Sequence, residues 1–152
     1  MLVERSSAYF RQPTVAAPPP DGGEFLLRRG FDTAGLYRVR VEVTACGHDL
    51  GLAEPDRHRF VLAVHEAGAN AVRHGGGGGH LRLWRHAAAV YCQVSDQGRG
   101  FDATRGTVAA PPPEASHGRG LWLIHQLCAA VHIRSGADGT DIVMQFPAPT
   151  GR

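Results

Sequence analysis

From Arg59 to His74 the small and apolar residues Phe60, Val61, Val64, Gly68, Ala71 and Val72 recur at a spacing that an α-helix gathers on one side. The same spacing sets Glu66, Asn70 and Arg73 on a neighbouring face. Glu66 and Asn70 stand at i and i+4, close enough to serve one ligand. Ala67, Gly68, Ala69 and Ala71 offer little bulk to block its approach. Gly68 costs such a helix about 1 kcal/mol relative to Ala, which implies a packing or access requirement. Asn70 is the only asparagine in the chain. An amphipathic helix with a solvated polar edge would show the same pattern, so this stretch alone leaves both readings open.

A chain of 152 residues with 43% hydrophobic composition is long enough for one core and too short for two ordinary domains. No apolar run approaches the roughly 20 residues that span a bilayer, and the opening Met1-Leu-Val-Glu-Arg lacks the order of a signal peptide. A cytoplasmic protein with no membrane partner is therefore expected. Cys46, Cys92 and Cys128 are widely spaced without a CxxC, so reduced, buried thiols are expected in place of a disulfide framework or zinc site. The net charge of +2 and the scattered arginines argue against direct nucleic-acid binding. All 16 basic residues are arginine. Without lysine, a P-loop NTPase, a protein kinase of the strand-lysine type and a Schiff-base enzyme are excluded, and phosphate chemistry must use Arg, backbone N–H groups or a metal.

Residues 1–23 carry Ala16-Ala-Pro-Pro-Pro20 and Gly22-Gly23 but little periodicity, and read as a flexible leader. The domain is expected over residues 24–147, with 148–152 as a tail. Glu24 to Phe31 reads as a strand, and Asp32 or Thr33 as the N-cap of a helix through about Cys46, although Val39 to Thr44 would also suit a strand. Pro55 suits the first turn of the helix that follows. Gly75 to Gly79 lacks the GK[ST] of a Walker A loop and reads as a flexible connection. His80 to Arg85 and Ala89 to Ser95 alternate as a hairpin, and the second strand runs into Asp96-Gln-Gly-Arg-Gly100. Residues 103–117, rich in Pro, Gly and Ala, read as a long mobile loop. Gly118 and Gly120 open an apolar helix to about Cys128, where bare N–H groups suit phosphate. Two strands, Ala130 to Arg134 and Thr140 to Phe146, end the domain.

Three motifs thus stand in order: Glu66-x-x-x-Asn70-Ala71, Asp96-x-Gly98-x-Gly100 and Gly118-x-Gly120-Leu121. Together they resemble the N, G1 and G2 boxes of the histidine-kinase-like (GHKL) ATPases, the superfamily that includes gyrase B, Hsp90 and MutL. The resemblance covers about residues 24–147. It implies an α+β fold of the Bergerat type: a two-layer α/β sandwich whose mixed, mostly antiparallel sheet is covered on one face by helices. Within the superfamily, Glu66-Ala-Gly-Ala-Asn-Ala-Val-Arg-His-Gly75 is most similar to anti-sigma factors of actinobacterial type that are also serine kinases.

The resemblance implies ATP and Mg²⁺ as ligands, with roles for individual residues. Asn70 would hold Mg²⁺ against the phosphates, Glu66 would orient or deprotonate the attacking hydroxyl, and Asp96 would accept from the adenine amino group. Gly98 and Gly100 would let the backbone approach the base. Gly118 and Gly120 would give N–H groups to the phosphates, with Arg73, Arg105 and Arg119 as charge partners and Leu121 and Thr140 beside the nucleotide. Implied partners are a sigma factor or its antagonist protein, and the sequence leaves a homodimer open. His65 departs from the family, which more often has a small or acidic residue there. The alternative function is a regulatory module that binds nucleotide or a partner without transferring phosphate. Gly98-x-Gly-x-x-Ala103 matches a dinucleotide fingerprint, but no apolar helix opens directly after it. Nine histidines form no HExxH, which disfavours a zinc hydrolase. A sensor histidine kinase would need a phospho-accepting helical hairpin before residue 24, and none is read there.

Overall fold

The computed structural model describes residues 23–98, 100 and 119–149. Five strands, β1 (Glu24–Asp32), β2 (Gly78–His86), β3 (Ala89–Asp96), β4 (Ala130–Gly136) and β5 (Gly139–Pro147), form one sheet in the order β1-β2-β3-β5-β4. Three helices join them among the described residues: α1 (Leu36–Asp49), α2 (Asp56–His74) and α3 (Arg119–Leu127). The fold is α+β, as expected, but the expected mixed sheet is corrected. Every strand pairing is antiparallel. Tight hairpins at 87–88 and 137–138 join β2 to β3 and β4 to β5, and the helical connections bring β1 onto β2 and β5 onto β3 antiparallel as well.

Period-two alternation sends Leu81 and Leu83, Val90, Cys92 and Val94, and Ile142, Met144 and Phe146 to one face, where all are buried. The helices supply the opposite wall of this core. In α1 the β-branched run is helical after all, because Val39, Val43 and Gly47 fall on one buried stripe. Packing on α2 outweighs their strand preference. Asp32 ends β1 instead of capping α1 directly, and its Oδ1 accepts from the Gly35 N–H at 2.9 Å to hold the turn. α2 buries Phe60, Ala63, Val64, Ala67, Gly68, Asn70 and Ala71. A Cβ on Gly68 would stand 2.9 Å from Leu36 Cδ1, so this glycine answers a packing requirement between α1 and α2. Cys46, Cys92 and Cys128 are all free thiols, and burial pushes the Cys92 and Cys128 thiols far up. Among the described residues no helix is long and apolar enough to cross a membrane.

The five glycines after α2 do more than connect. Gly75 closes the helix with its N–H on Ala71 O at 2.8 Å, and Gly76 and Gly77 adopt φ of +90° and +97°. Gly78 and Gly79 already belong to β2, where a Cβ would lie 2.2 Å from Phe31 O and 2.4 Å from Ser95 O respectively. Gly79→Ala should therefore force backbone apart at the start of the β2–β3 ladder. The expected loss of about 1–3 kcal/mol, typical of overpacking, would appear as a lower denaturant midpoint at unchanged slope.

Candidate functional site

Two groups of residues meet where α2 ends. In the first, Glu66 and Asn70 project from successive turns of α2 toward the N-terminus of α3. A Cβ on Gly120 would lie 3.1 Å from Glu66 Oε1 and 3.5 Å from Asn70 Oδ1, so the α3 backbone comes within side-chain contact of both polar groups. Asn70 is 8% exposed, a buried carboxamide on a helix otherwise packed with small apolar residues. Its Oδ1 accepts from Arg73 Nη2 at 3.3 Å, a long contact for a buried oxygen. The polar edge expected from sequence is therefore partly inside the protein.

The second group lies at the ends of β3 and β5. Asp96 is the last residue of β3 and pairs in register with Thr140. Asp96 Oδ1 accepts from the Gly98 N–H at 2.9 Å. Burial pushes the Asp96 carboxyl above its ordinary range; the backbone N–H groups of Gly98 and Thr140 pull it back, neighbouring Asp141 raises it, and His74 lowers it. Around it the backbone closes without side chains. A Cβ on Gly75 would fall 2.3 Å from Asp96 Cγ, one on Gly98 2.5 Å from His74 O, and one on Gly139 2.0 Å from Asp96 O. Gly75 follows Asn70 by five residues, about 7 Å along a helix axis, so the end of α2 spans from the carboxamide to the carboxylate.

Thr140 is buried, and its Oγ1 stands 2.7 Å from Ser135 Oγ across the β4–β5 hairpin. Gly100, at φ +82°, approaches Gly136 O, where a Cβ would come within 2.4 Å. Leu121 is 6% exposed and packs into the core beneath the opening of α3. Gly118, Arg105 and the loop 103–117 lie outside the described residues, as does the Arg119 side chain. Ser135, Gly75 and Gly139 join the site without having been singled out by sequence. A Ser–Gly turn facing a Gly–Thr pair is the signal that would have found Ser135 and Gly139.

The chemistry these groups offer is specific. A half-buried carboxylate at a strand end suits one specific hydrogen-bond donor on a ligand, and the glycines around it let neighbouring backbone pack directly against it. At the other end a neutral oxygen and a carboxylate face a helix N-terminus, a place suited to an anion and a hard cation together. Among the described residues no three His, Cys, Asp or Glu side chains cluster to hold a metal by themselves. Asn70 Oδ1 is a neutral oxygen of the kind that hard cations accept as one ligand among several.

Comparison with known proteins agrees with this geometry. A family model described as a histidine kinase-like ATPase domain matches residues 31–146. Among solved structures, the RsbU and RsbW domains of Rv1364c from Mycobacterium tuberculosis are similar in fold, with a TM-score of 0.61 at 19% identity over 83% of this chain. The match covers 34% of that chain, so the present protein spans about a third of its length. The mycobacterial sensor histidine kinase MprB matches 82% of this chain and 100% of its own with a TM-score of 0.51 at 15% identity. The catalytic domain of the histidine kinase ThkA matches 80% and 96%, with a TM-score of 0.51 at 13% identity. No curated protein matches the sequence significantly. With three quarters of its length inside the family model and the family's fold around the three motifs, the chain belongs to the histidine kinase-like ATPase domains.

Proposed function

We propose that this ATPase domain binds ATP with Mg²⁺ and phosphorylates a serine or threonine of a small partner protein, acting as an anti-sigma regulator. The observation that carries the proposal is the approach of the α3 N-terminus, at Gly120, to Glu66 Oε1 and Asn70 Oδ1. One site so built holds a general-base candidate, a cation ligand and bare N–H groups within a few ångströms of one another. In this reading Asp96 receives the adenine amino group, with Gly98, Gly100 and Thr140 shaping the pocket around the base. Gly118 and Gly120 give backbone N–H groups to the phosphates, with Leu121 anchoring their helix in the core. Arg73, whose Nη2 donates to Asn70 Oδ1, gives its charge to the phosphates together with Arg105 and Arg119. Mg²⁺, when bound, neutralises phosphate charge and orients the terminal group.

The choice of a serine or threonine acceptor rests on Glu66. A carboxylate beside the phosphates can orient or accept the proton of a neutral hydroxyl, which a hydroxyl nucleophile needs. The partner class rests on the similarity of Glu66 to Gly75 to anti-sigma factors that are serine kinases, and a fold neighbour carrying an RsbW domain is in keeping with it. The partners are accordingly a sigma factor and its antagonist, in the cytoplasm.

The test is incubation of the purified protein with labelled ATP, Mg²⁺ and small serine-bearing proteins encoded near its gene. A labelled partner that loses its label after Ser→Ala substitution at one position is the expected result. ATP binding with no transfer to any candidate would favour a nucleotide-dependent binding module instead.

A further inference from the structure

Four polar side chains are buried among the described residues, those of Asn70, His132, Ser135 and Thr140, and three of them gather at the candidate site. The function proposed above uses Asn70 and Thr140 and leaves Ser135 without a role. Its place in the sheet is nevertheless specific. Register pairs Ser135 with Thr140 and Thr140 with Asp96, so the three form one row across β4, β5 and β3. All three lie on the helix side of the sheet, because Ile133, Ile142 and Val94, two residues away on the same strands, are buried in the core there. One step beyond the His80–Ser95 pair, the β2 neighbour of Asp96 is Gly79, which has no side chain. Of the two strands that flank Asp96, only β5 therefore sets a side chain beside it in this row, and that side chain is Thr140.

Ser135 is 1% exposed and Thr140 3%, so each hydroxyl needs a partner inside the protein. Ser135 Oγ and Thr140 Oγ1 stand 2.7 Å apart, a normal distance for two hydroxyls sharing one hydrogen. A Cβ on Gly100 would come within 2.9 Å of Ser135 Oγ, so the glycine motif after β3 walls the serine on another side. Thr140 is β-branched, which restricts where its oxygen can point.

We propose that Ser135 is a positioning residue for the nucleotide base: it donates its hydroxyl hydrogen to Thr140 Oγ1, and Thr140 keeps its own hydrogen for ring atom N1 of adenine. The proposal rests on the reading that Asp96 accepts the adenine amino group. Electrostatics favours this direction of donation. Cβ atoms of directly opposed residues lie about 4.5–5.5 Å apart, and an ionised carboxylate only accepts, so the Thr140 hydrogen is drawn to the Asp96 side and Ser135 supplies the one they share. In adenine the ring atom next to the amino-bearing carbon is N1, an acceptor. A carboxylate beside a hydroxyl donor matches that edge, whereas guanine offers a carbonyl and an N–H in the reverse order. If Thr140 gave its hydrogen to Ser135, it would turn a lone pair toward N1, acceptor against acceptor.

The experiment measures calorimetric affinities for ATP and for 1-deaza-ATP, which has carbon in place of N1 and keeps the amino group. Wild type should bind ATP more tightly than the analogue, because a site built around an acceptor rejects a ligand lacking it. Ser135→Ala should lose roughly two- to tenfold in ATP affinity, the span of one neutral hydrogen bond, and keep its affinity for 1-deaza-ATP. Ser135→Cys, close in size but a far weaker donor, should narrow the gap in the same way and decides the matter if Ser135→Ala does not fold. A serine that only holds the hairpin together would weaken both ligands alike, and that result would overturn the proposal. So would an unchanged gap between the two ligands in both variants. Wild type that binds neither ligand would overturn the nucleotide reading itself, and this inference with it.

Discussion

Glu66→Gln is expected to bind ATP as the wild type does and to transfer phosphate about 10²- to 10⁴-fold more slowly, the range that general-base help supplies. Gln keeps the length and the hydrogen-bonding reach of the side chain, and it still fits beneath Gly120. It loses the capacity to take a proton. Asn70→Ala should fail in a different way. Removing the buried carboxamide takes away the cation ligand and the partner of Arg73, so nucleotide affinity measured with Mg²⁺ should drop toward the value measured without it. Single-turnover transfer to the cognate partner, alongside calorimetric ATP binding with and without Mg²⁺, separates the two effects. Wild-type transfer by Glu66→Gln would remove Glu66 from the chemistry. Unchanged Mg²⁺ dependence in Asn70→Ala would remove Asn70 from the cation.

Elements with a strong period were legible in the sequence, and features that depend on what lies opposite were not. Alternation in Ala89 to Ser95 located β3 to within a residue, and helical spacing located α2 with its buried stripe. Pattern within a segment decides such elements, because one face is wet and the other is not. The Val39 to Thr44 run was ambiguous because its preference is local and its burial against α2 is not. Ala63 and Ala67 were missed as core residues because alanine looks neutral in a pattern, yet both are fully buried.

The same distinction holds at the site. Asp96 was legible from its strand-end position before two glycines. That Gly75 and Gly139 must lack side chains to admit it was not, since the atoms in the way belong to distant residues. The reading of Gly75 to Gly79 as a loose connection erred for this reason. The row of Phe25, Trp84 and Tyr91 on the sheet face away from the helices was equally hidden, because Phe25 lies far from the other two in sequence and joins them only through the register of β1 on β2.

Asp96→Asn should weaken adenine-nucleotide binding about ten- to hundredfold, the loss of one charge-assisted hydrogen bond of roughly 1.5–3 kcal/mol. Asn can keep the bond from the Gly98 N–H to its oxygen, but then turns its NH₂ group toward the adenine amino group, donor against donor. Stability should move the opposite way. Burial raises the Asp96 carboxyl in the folded protein above its unfolded value, so ionising it opposes folding. The stability associated with a protonated Asp96 is fully present below the unfolded value and is lost as pH rises through the raised folded value. A neutral Asn escapes that loss, so Asp96→Asn should equal or exceed the wild type in stability at neutral pH and lose this advantage in acid. ATP affinity of the wild type should fall as pH drops through the same raised range, where the acceptor becomes protonated, while the weak affinity of Asp96→Asn stays flat. Calorimetry across pH checks both arms. Unchanged affinity together with reduced stability would make Asp96 a turn residue that holds Gly98 and nothing more.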